Sequence, residues 1–382
     1  MDLRLGLSIL GGLVVLATGL TVYDRGRAAR RLTGRRRARS STVEHVTPVV
    51  EMTGSEPAPA RVMVEDGTGG RVIYGRRWME ARGQQPPSPA AIEKPAQQHR
   101  SSSCLPDEVV DFTIRLPGHE PVARDQVLAL YKQEESLIER PHRLCGLRFG
   151  TTVSVDLERE EPGGQYGDLL LTLQLADYRG PAVESELNRL SQIGLKIADA
   201  VHRQPQFSVG FEEALQRAAD LDKFCAAFDV IASVSIMPST ETGFAGEEVR
   251  SAAFSQGMEF GPRNVFHMRL PGKGERILFT MANLFKPGAF EPDAWETLRV
   301  KGLALFMNVP CVNDPHAVFE RMLAVANHLA AHLGGFLLDQ DHKPLTEHAL
   351  GVIRAQIGQI VTGMERHNIA PGSVRALRLF EP

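Results

Sequence analysis

Two stretches of this chain repeat one another, and the repetition narrows the folds open to it. LLLTLQLADYRGPAVESELNRLSQIGLKIADAV at 169–201 and LALFMNVPCVNDPHAVFERMLAVANHLAAHLGG at 303–335 share a pattern. Each has an apolar strand-like start, a turn, a proline near the head of a helix, and a long amphipathic helix. Internal self-similarity of this kind means one supersecondary unit used twice. The elements upstream follow the same order. In the first copy they read as a strand at 111–116, a helix at 124–138 and strands at 144–149, 152–157 and 169–175. A helix at 181–201, a short strand near Phe207 and a helix at 211–222 follow. In the second copy they read as a strand at 230–236, a helix at 246–256 and strands at 264–269, 277–284 and 303–309. A helix at 315–333, a short strand at 335–339 and a helix at 346–361 complete it. Period-2 and period-3.6 patterning mark the two element types. Each copy is then an α+β unit, a split β-α-β arrangement with an antiparallel or mixed sheet and helices on one face.

Helices on one face leave the other face to be explained. Successive side chains of a strand alternate sides. In 303–309, Leu303, Leu305 and Met307 point one way, and Ala304, Phe306 and Asn308 the other. In 277–284, Phe279, Met281 and Asn283 oppose Thr280, Ala282 and Leu284. Core packing takes the first set of each strand. Ala282, Leu284, Ala304 and Phe306 remain on the open side, with Ile231 and Ser233 of the first strand. An apolar patch on the open side of a sheet marks a partner site.

These residues also carry a resemblance. A-N-x-x-K-P-G-x-F at 282–290, G-x-x-x-F-M-x-V-P at 302–310 and G-G-x-x-L-D at 334–339, in that order, resemble the C-terminal domain of the ZipA family. The resemblance runs from about Asp229 to Ile360. ZipA proteins tether FtsZ to the bacterial inner membrane at the division septum. The resemblance implies a shallow groove that receives the FtsZ C-terminal tail. The matching positions here are Ile231, Ser233, Arg263, Ala282, Leu284, Lys286, Ala304 and Phe306, with Lys286 a rim contact. Ser233 and Arg263 are polar where better-known members are apolar, which weakens or shifts that end of the groove. The first copy lacks the A-N-x-x-K-P-G stretch and carries SVDLEREEPGG at the equivalent place. Its open face is expected to be more charged and not to bind the same ligand in the same way.

The start of the chain fits the same family. Residues 5–23, LGLSILGGLVVLATGLTVY, are uncharged and mostly apolar. A bilayer core needs roughly 17–25 helical residues. Arg25, Arg27, Arg30, Arg31, Arg35, Arg36, Arg37 and Arg39 follow at once, and such a flank stays in the cytoplasm. A cleaved signal peptide fits less well, because the basic residues follow the apolar run and no A-x-A comes after it. The expected topology is single-pass: residues 1–4 periplasmic, 5–23 a transmembrane helix, the rest cytoplasmic. The arginines also suit contact with anionic inner-membrane lipids. Residues 24–104 are rich in Pro, Gln and Ser and too polar to bury a core, so they read as a disordered linker. A small hairpin within 61–78 is the one exception. The first unit then spans 105–224, the second 225–366, and a tail 367–382.

Function classes are limited as well. With 43 Lys and Arg against 46 Asp and Glu, the chain has no global charge for nucleic acid. The four cysteines are widely spaced with no C-x-x-C, which favours free thiols over a zinc site or disulfide framework. His328 and His332 stand four apart on a helix, but no third metal ligand accompanies them. Asp339, Asp341 and His342 cluster in a turn before an N-cap at Thr346. Gly163-Gly164 and 272–274 suit turns better than phosphate cradles. No nucleophile elbow, phosphate-binding loop or dinucleotide fingerprint occurs. The sequence therefore points to a non-enzymatic binding protein without cofactor or metal. Its partners are FtsZ and membrane lipid, with self-association a further possibility. The alternative is a membrane-anchored scaffold that binds another division or envelope protein through the first unit.

Overall fold

The computed structural model describes residues 104–270, 276–339 and 343–381, together with the backbone of Ile73–Tyr74. The 5–23 span, most of the linker, Asp341 and His342 lie outside the described residues. Among the described residues no helix is long and apolar enough to cross a membrane.

Strand β1 is Ile73–Tyr74. The first unit contains β2 Asp111–Leu116, β3 Val122–Ala123, α1 Arg124–Lys132, β4 His142–Arg148, β5 Ser154–Asp156 and β6 Gln165–Gln174. Short β7 Ala176–Asp177 and β8 Gly180–Pro181, α2 Glu184–Ala200, β9 Gln206–Phe207 and α3 Phe211–Phe228 complete it. The second contains β10 Val230–Pro238, β11 Phe244–Ala245, α4 Gly246–Ser255, β12 Glu259–Gly261, β13 Val265–Arg269 and β14 Ile277–Asn283. Then come β15 Arg299–Val300, β16 Leu303–Asn308, α5 Pro315–Leu333, β17 Gly335–Leu338 and α6 Glu347–Arg366. Helix α7, Val374–Phe380, ends the chain.

Both main sheets are antiparallel. The first runs β5-β4-β6-β2-β9, with β3 added to β6. The second runs β12-β13-β14-β16-β10. The outer edge of β10 is shared, with β17 along Ser235–Pro238 and β1 at Val230–Ile231. In each unit the strand after the long helix returns beside the first strand, which is why the duplicated strand–helix stretch sits at the centre of both sheets. The long helix is well delimited. Asp314 caps α5 by accepting from the Ala317 N–H at 3.0 Å, Pro315 opens it, and Gly334 ends it with left-handed φ of 69°. Thr346 caps α6 in the same way, at 3.2 Å to the Ala349 N–H.

Alternation assigns the faces. Phe112, Ile114, Leu169, Leu171 and Leu173 of the first sheet are fully buried in the core, as are Ala232, Val234, Phe279, Met281, Leu305 and Met307 of the second. One continuous core joins the two units. Helix α3 makes much of the junction. It continues past residue 222 to Phe228, because Phe224, Cys225 and Phe228 are themselves core residues. A Cβ at Gly363 of α6 would lie 2.6 Å from the Phe228 ring, so only glycine lets the two helices approach this closely. Helix α7 packs its buried Leu379 and Phe380 here, with the rings of Phe224 and Phe380 6.0 Å apart.

Some sequence expectations are corrected. The helix predicted over 124–138 stops at Lys132 and gives way to a 3₁₀ turn at Glu135–Leu137, since the apolar stripe ends at Tyr131. The strand predicted at 152–157 is only Ser154–Asp156, and it lies on the outer side of β4. It is therefore β4, not the SVDLEREEPGG stretch, that sits beside the central strand as β14 does in the second unit. Cys104 and Cys145 form a disulfide rather than remaining thiols, while Cys225 and Cys311 keep their thiols.

Candidate functional site: the open face of the second sheet

The register of three neighbouring strands builds the site. Ser233 of β10 pairs with Phe306 of β16, and Phe306 with Thr280 of β14. One step along, Ser235, Ala304 and Ala282 form the next row. Ile231 pairs with Asn308 at the near end. Leu284 follows β14, held by its N–H to the Gly302 carbonyl at 2.9 Å. Ile231, Ala304, Phe306 and Leu284 are partly buried, and none belongs to the core. Ala282 is only 9% exposed but likewise stands outside the core, so its methyl forms the floor between the larger side chains.

The two remaining predicted positions lie at the rim. Lys286 occupies the turn closed by the Gly288 N–H to the Phe285 carbonyl at 2.9 Å, and its side chain is exposed. Arg263 is in the exposed turn between β12 and β13, with left-handed φ of 65°. The Asn264 carbonyl of that turn accepts from the Phe290 N–H at 2.8 Å, which places Arg263 on the Leu284–Lys286 side. Ser233 and Arg263 therefore do not share one end of the groove. Ser233 lies in the Phe306 row, and Arg263 adds charge at the opposite rim.

The apolar surface extends beyond these positions. Met237 shares the outward parity of Ser233 and Ser235 and pairs across to Phe336 of β17. Phe336 and Phe285 are 46% and 47% exposed. A depression of about 490 Å³ opens here, lined by Met237, Phe285, Glu241 and Lys301 among others. It joins the groove over Gly302, where a Cβ would lie 3.0 Å from both the Leu284 Cδ2 and the Met237 Sδ. The parity of Met237 was legible in the sequence. The position of Phe336 was not, because it depends on which strand pairs with β10.

Polar atoms mark the other margin. His267 on β13 is 7% exposed, with Nδ1 3.0 Å from the Thr280 Oγ1. Burial, reinforced by Arg269 and Arg263, holds its imidazole below the ordinary histidine range, so the ring is neutral at pH 7. The Asn308 Oδ1 is buried beside Ile231 and has no hydrogen-bond partner among the described residues. A buried acceptor of this kind favours an incoming N–H. The arrangement has an apolar trough, cationic rims and a spare acceptor. It suits a short peptide with apolar anchors. His328 and His332 stack with ring centroids 6.4 Å apart on the exposed side of α5, away from this face. Among the described residues no cluster of metal-ligating side chains forms.

Residues 230–356 match the family model described as ZipA, C-terminal FtsZ-binding domain. The second unit belongs to the ZipA family. A cell division protein ZipA from Shewanella denitrificans is 38% identical over 104 residues, covering 27% of this chain and 31% of that relative. The chain thus matches about a third of the length of that curated ZipA. The matched region begins at β10 and ends in α6, so it contains every strand of the open face except β1.

Proposed function

We propose that this protein is a division tether of the ZipA type, and that its second unit seats the FtsZ C-terminal tail on the open sheet face. The observation that carries the reading is a continuous row of apolar side chains, Ile231, Phe306, Ala304, Ala282 and Leu284, that the protein's own core leaves unused. The docking mode is recognition by anchors in a groove, with no bond made or broken. Met237, Phe285 and Phe336 lengthen the seat, while Lys286 and Arg263 favour carboxylates in the partner. Residues 5–23 supply the membrane span in this reading, and 24–104 the spacer. The contact is smaller than the ~1,200 Å² of ordinary interfaces, so affinity is on the order of micromolar, raised by avidity along a filament. Titration of a labelled FtsZ tail peptide tests the assignment. Phe306→Asp abolishes binding while the thermal transition persists. Undiminished binding by that variant refutes the groove.

A further inference from the structure

The duplication gives the first unit a counterpart of the groove, and its contents differ. Register equates the row Ser233–Phe306–Thr280 with Thr113–Thr172–Arg143. It equates Ala282 with Cys145, and Ile231 and Asn308 with Asp111 and Gln174. The chain itself occupies both ends of this second face. At one end Cys104 is bonded to Cys145, and the Ser154 Oγ donates to the Cys104 carbonyl at 2.7 Å. At the other, Arg378 of α7 reaches Asp111, with its Nη1 3.0 Å from Oδ2, and also bonds Gln174. Between them the middle row remains.

Charge on this face does not balance. Three outward carboxylates each have a cation: Asp111 has Arg378, Asp168 has Arg115, and Asp156 has Arg159 at 3.5 Å. Arg143 has none. Its guanidinium is partly buried and makes no hydrogen bond or ion pair among the described residues, although it stands in the row next to Thr172. The Thr113 and Thr172 side chains, which share that row, are also without hydrogen-bond partners there. A partly desolvated guanidinium beside one hydroxyl, with a second hydroxyl one strand further on, is a donor set matched to a carboxylate. Leu147 and Leu170, partly buried on the same side, supply aliphatic contact.

We infer that the open face of the first unit is a second peptide site, selective for an acidic segment whose carboxylate docks on Arg143 beside Thr172, with Thr113 one strand further along the same row. The site is independent of the FtsZ-tail reading, because it shares no residue with the other groove. Burial, and then repulsion from Arg378, outweigh the attraction of Asp156 and Asp111 and hold the Arg143 guanidinium below its ordinary range, which an incoming carboxylate would relieve. The bidentate fork of arginine makes the side chain hard to replace by lysine.

The test uses the full chain and a labelled octapeptide of alternating Glu and Ala, with its Gln–Ala counterpart as the neutral probe. Anisotropy should show the Glu peptide bound, more weakly as salt is raised. The Gln peptide should bind roughly ten- to a hundredfold less tightly, and Arg143→Gln should cause a loss of the same order. Arg143→Lys should recover only part of the binding. Thr172→Val gives an independent route should Arg143→Gln lose its thermal transition, and it too should weaken binding. Phe306→Asp should leave binding unchanged, which separates this site from the tail groove. No binding of the Glu peptide, equal binding of both peptides, or wild-type binding by Arg143→Gln would each overturn the proposal.

Discussion

Leu305 and Phe306 are adjacent in sequence and opposite in role, so paired truncation separates stability from recognition. Leu305 is fully buried in the core between β10 and β14. Leu305→Ala removes its transfer energy and leaves a cavity, costing about 2–5 kcal/mol. In a body of this size each kcal/mol lowers the thermal midpoint by roughly 2–4 °C, so a fall of about 4–20 °C is expected. Phe306 stands on the open face outside the core, and its removal opens a dent that water fills rather than a cavity. Phe306→Ala should therefore cost about 1 kcal/mol or less of stability. Its effect on binding is larger. Phe306 is partly exposed, and a docked tail would cover on the order of 50 Å² of the ring. At about 25 cal/mol per Å², this is ~1.3 kcal/mol, close to a tenfold change in affinity. Truncation also forfeits the dispersion attraction between the ring and the docked peptide, which adds to that figure. Differential scanning fluorimetry and tail-peptide anisotropy on the same two variants give the result. If Phe306→Ala lowers the midpoint as far as Leu305→Ala does, or leaves tail affinity intact, the assignment of faces is wrong.

Two further predictions follow from the polar interior. His267 has a folded-state pKa below that of the unfolded chain, so the unfolded state takes up the proton first as pH falls. Its contribution is fully present above about pH 6.5 and is lost on acidification. His267→Gln should flatten thermal stability between pH 7.5 and 5.5, and an unchanged slope would contradict the burial argument. Arg140 is 6% exposed and bonds Glu186 at 3.0 Å, Asp177 at 3.3 Å and the Gly180 carbonyl at 3.0 Å. Arg140→Ala removes one of the two arginines on buried Asp177, which keeps Arg179 at 2.7 Å, and should destabilise the first unit by about 1–3 kcal/mol in urea melts. A change below about 1 kcal/mol would mean that the network is more solvated than its geometry implies.

Much of the second unit was legible because alternation and caps act locally. Parity alone separated Leu305 from Phe306 and Met281 from Ala282, and Asp314, Pro315 and Gly334 delimit α5 from neighbours a few residues away. What depends on pairing between distant strands was not legible. Phe336 enters the groove only because β17 pairs with β10, and Arg143 joins the row of Thr172 only because β4, not β5, lies beside β6. Spacing likewise hid the Cys104–Cys145 pair. Cys145 points out from β4, and Cys104 reaches it only once the start of the folded region crosses that face. Helix α7, with apolar Val374, Leu377, Leu379 and Phe380, lies in what the sequence offered only as a tail. Its ion pairs with Asp107 and Asp111 span most of the folded sequence and leave no local trace.

The whole account rests on a bare apolar sheet face that selects one foreign peptide. Its most direct test is a titration of this protein with intact FtsZ and with FtsZ lacking its C-terminal tail, followed by light scattering and sedimentation. Saturable binding that requires the tail, and that disappears with Phe306→Asp, is the predicted result. Equal binding of tailless FtsZ would contradict it.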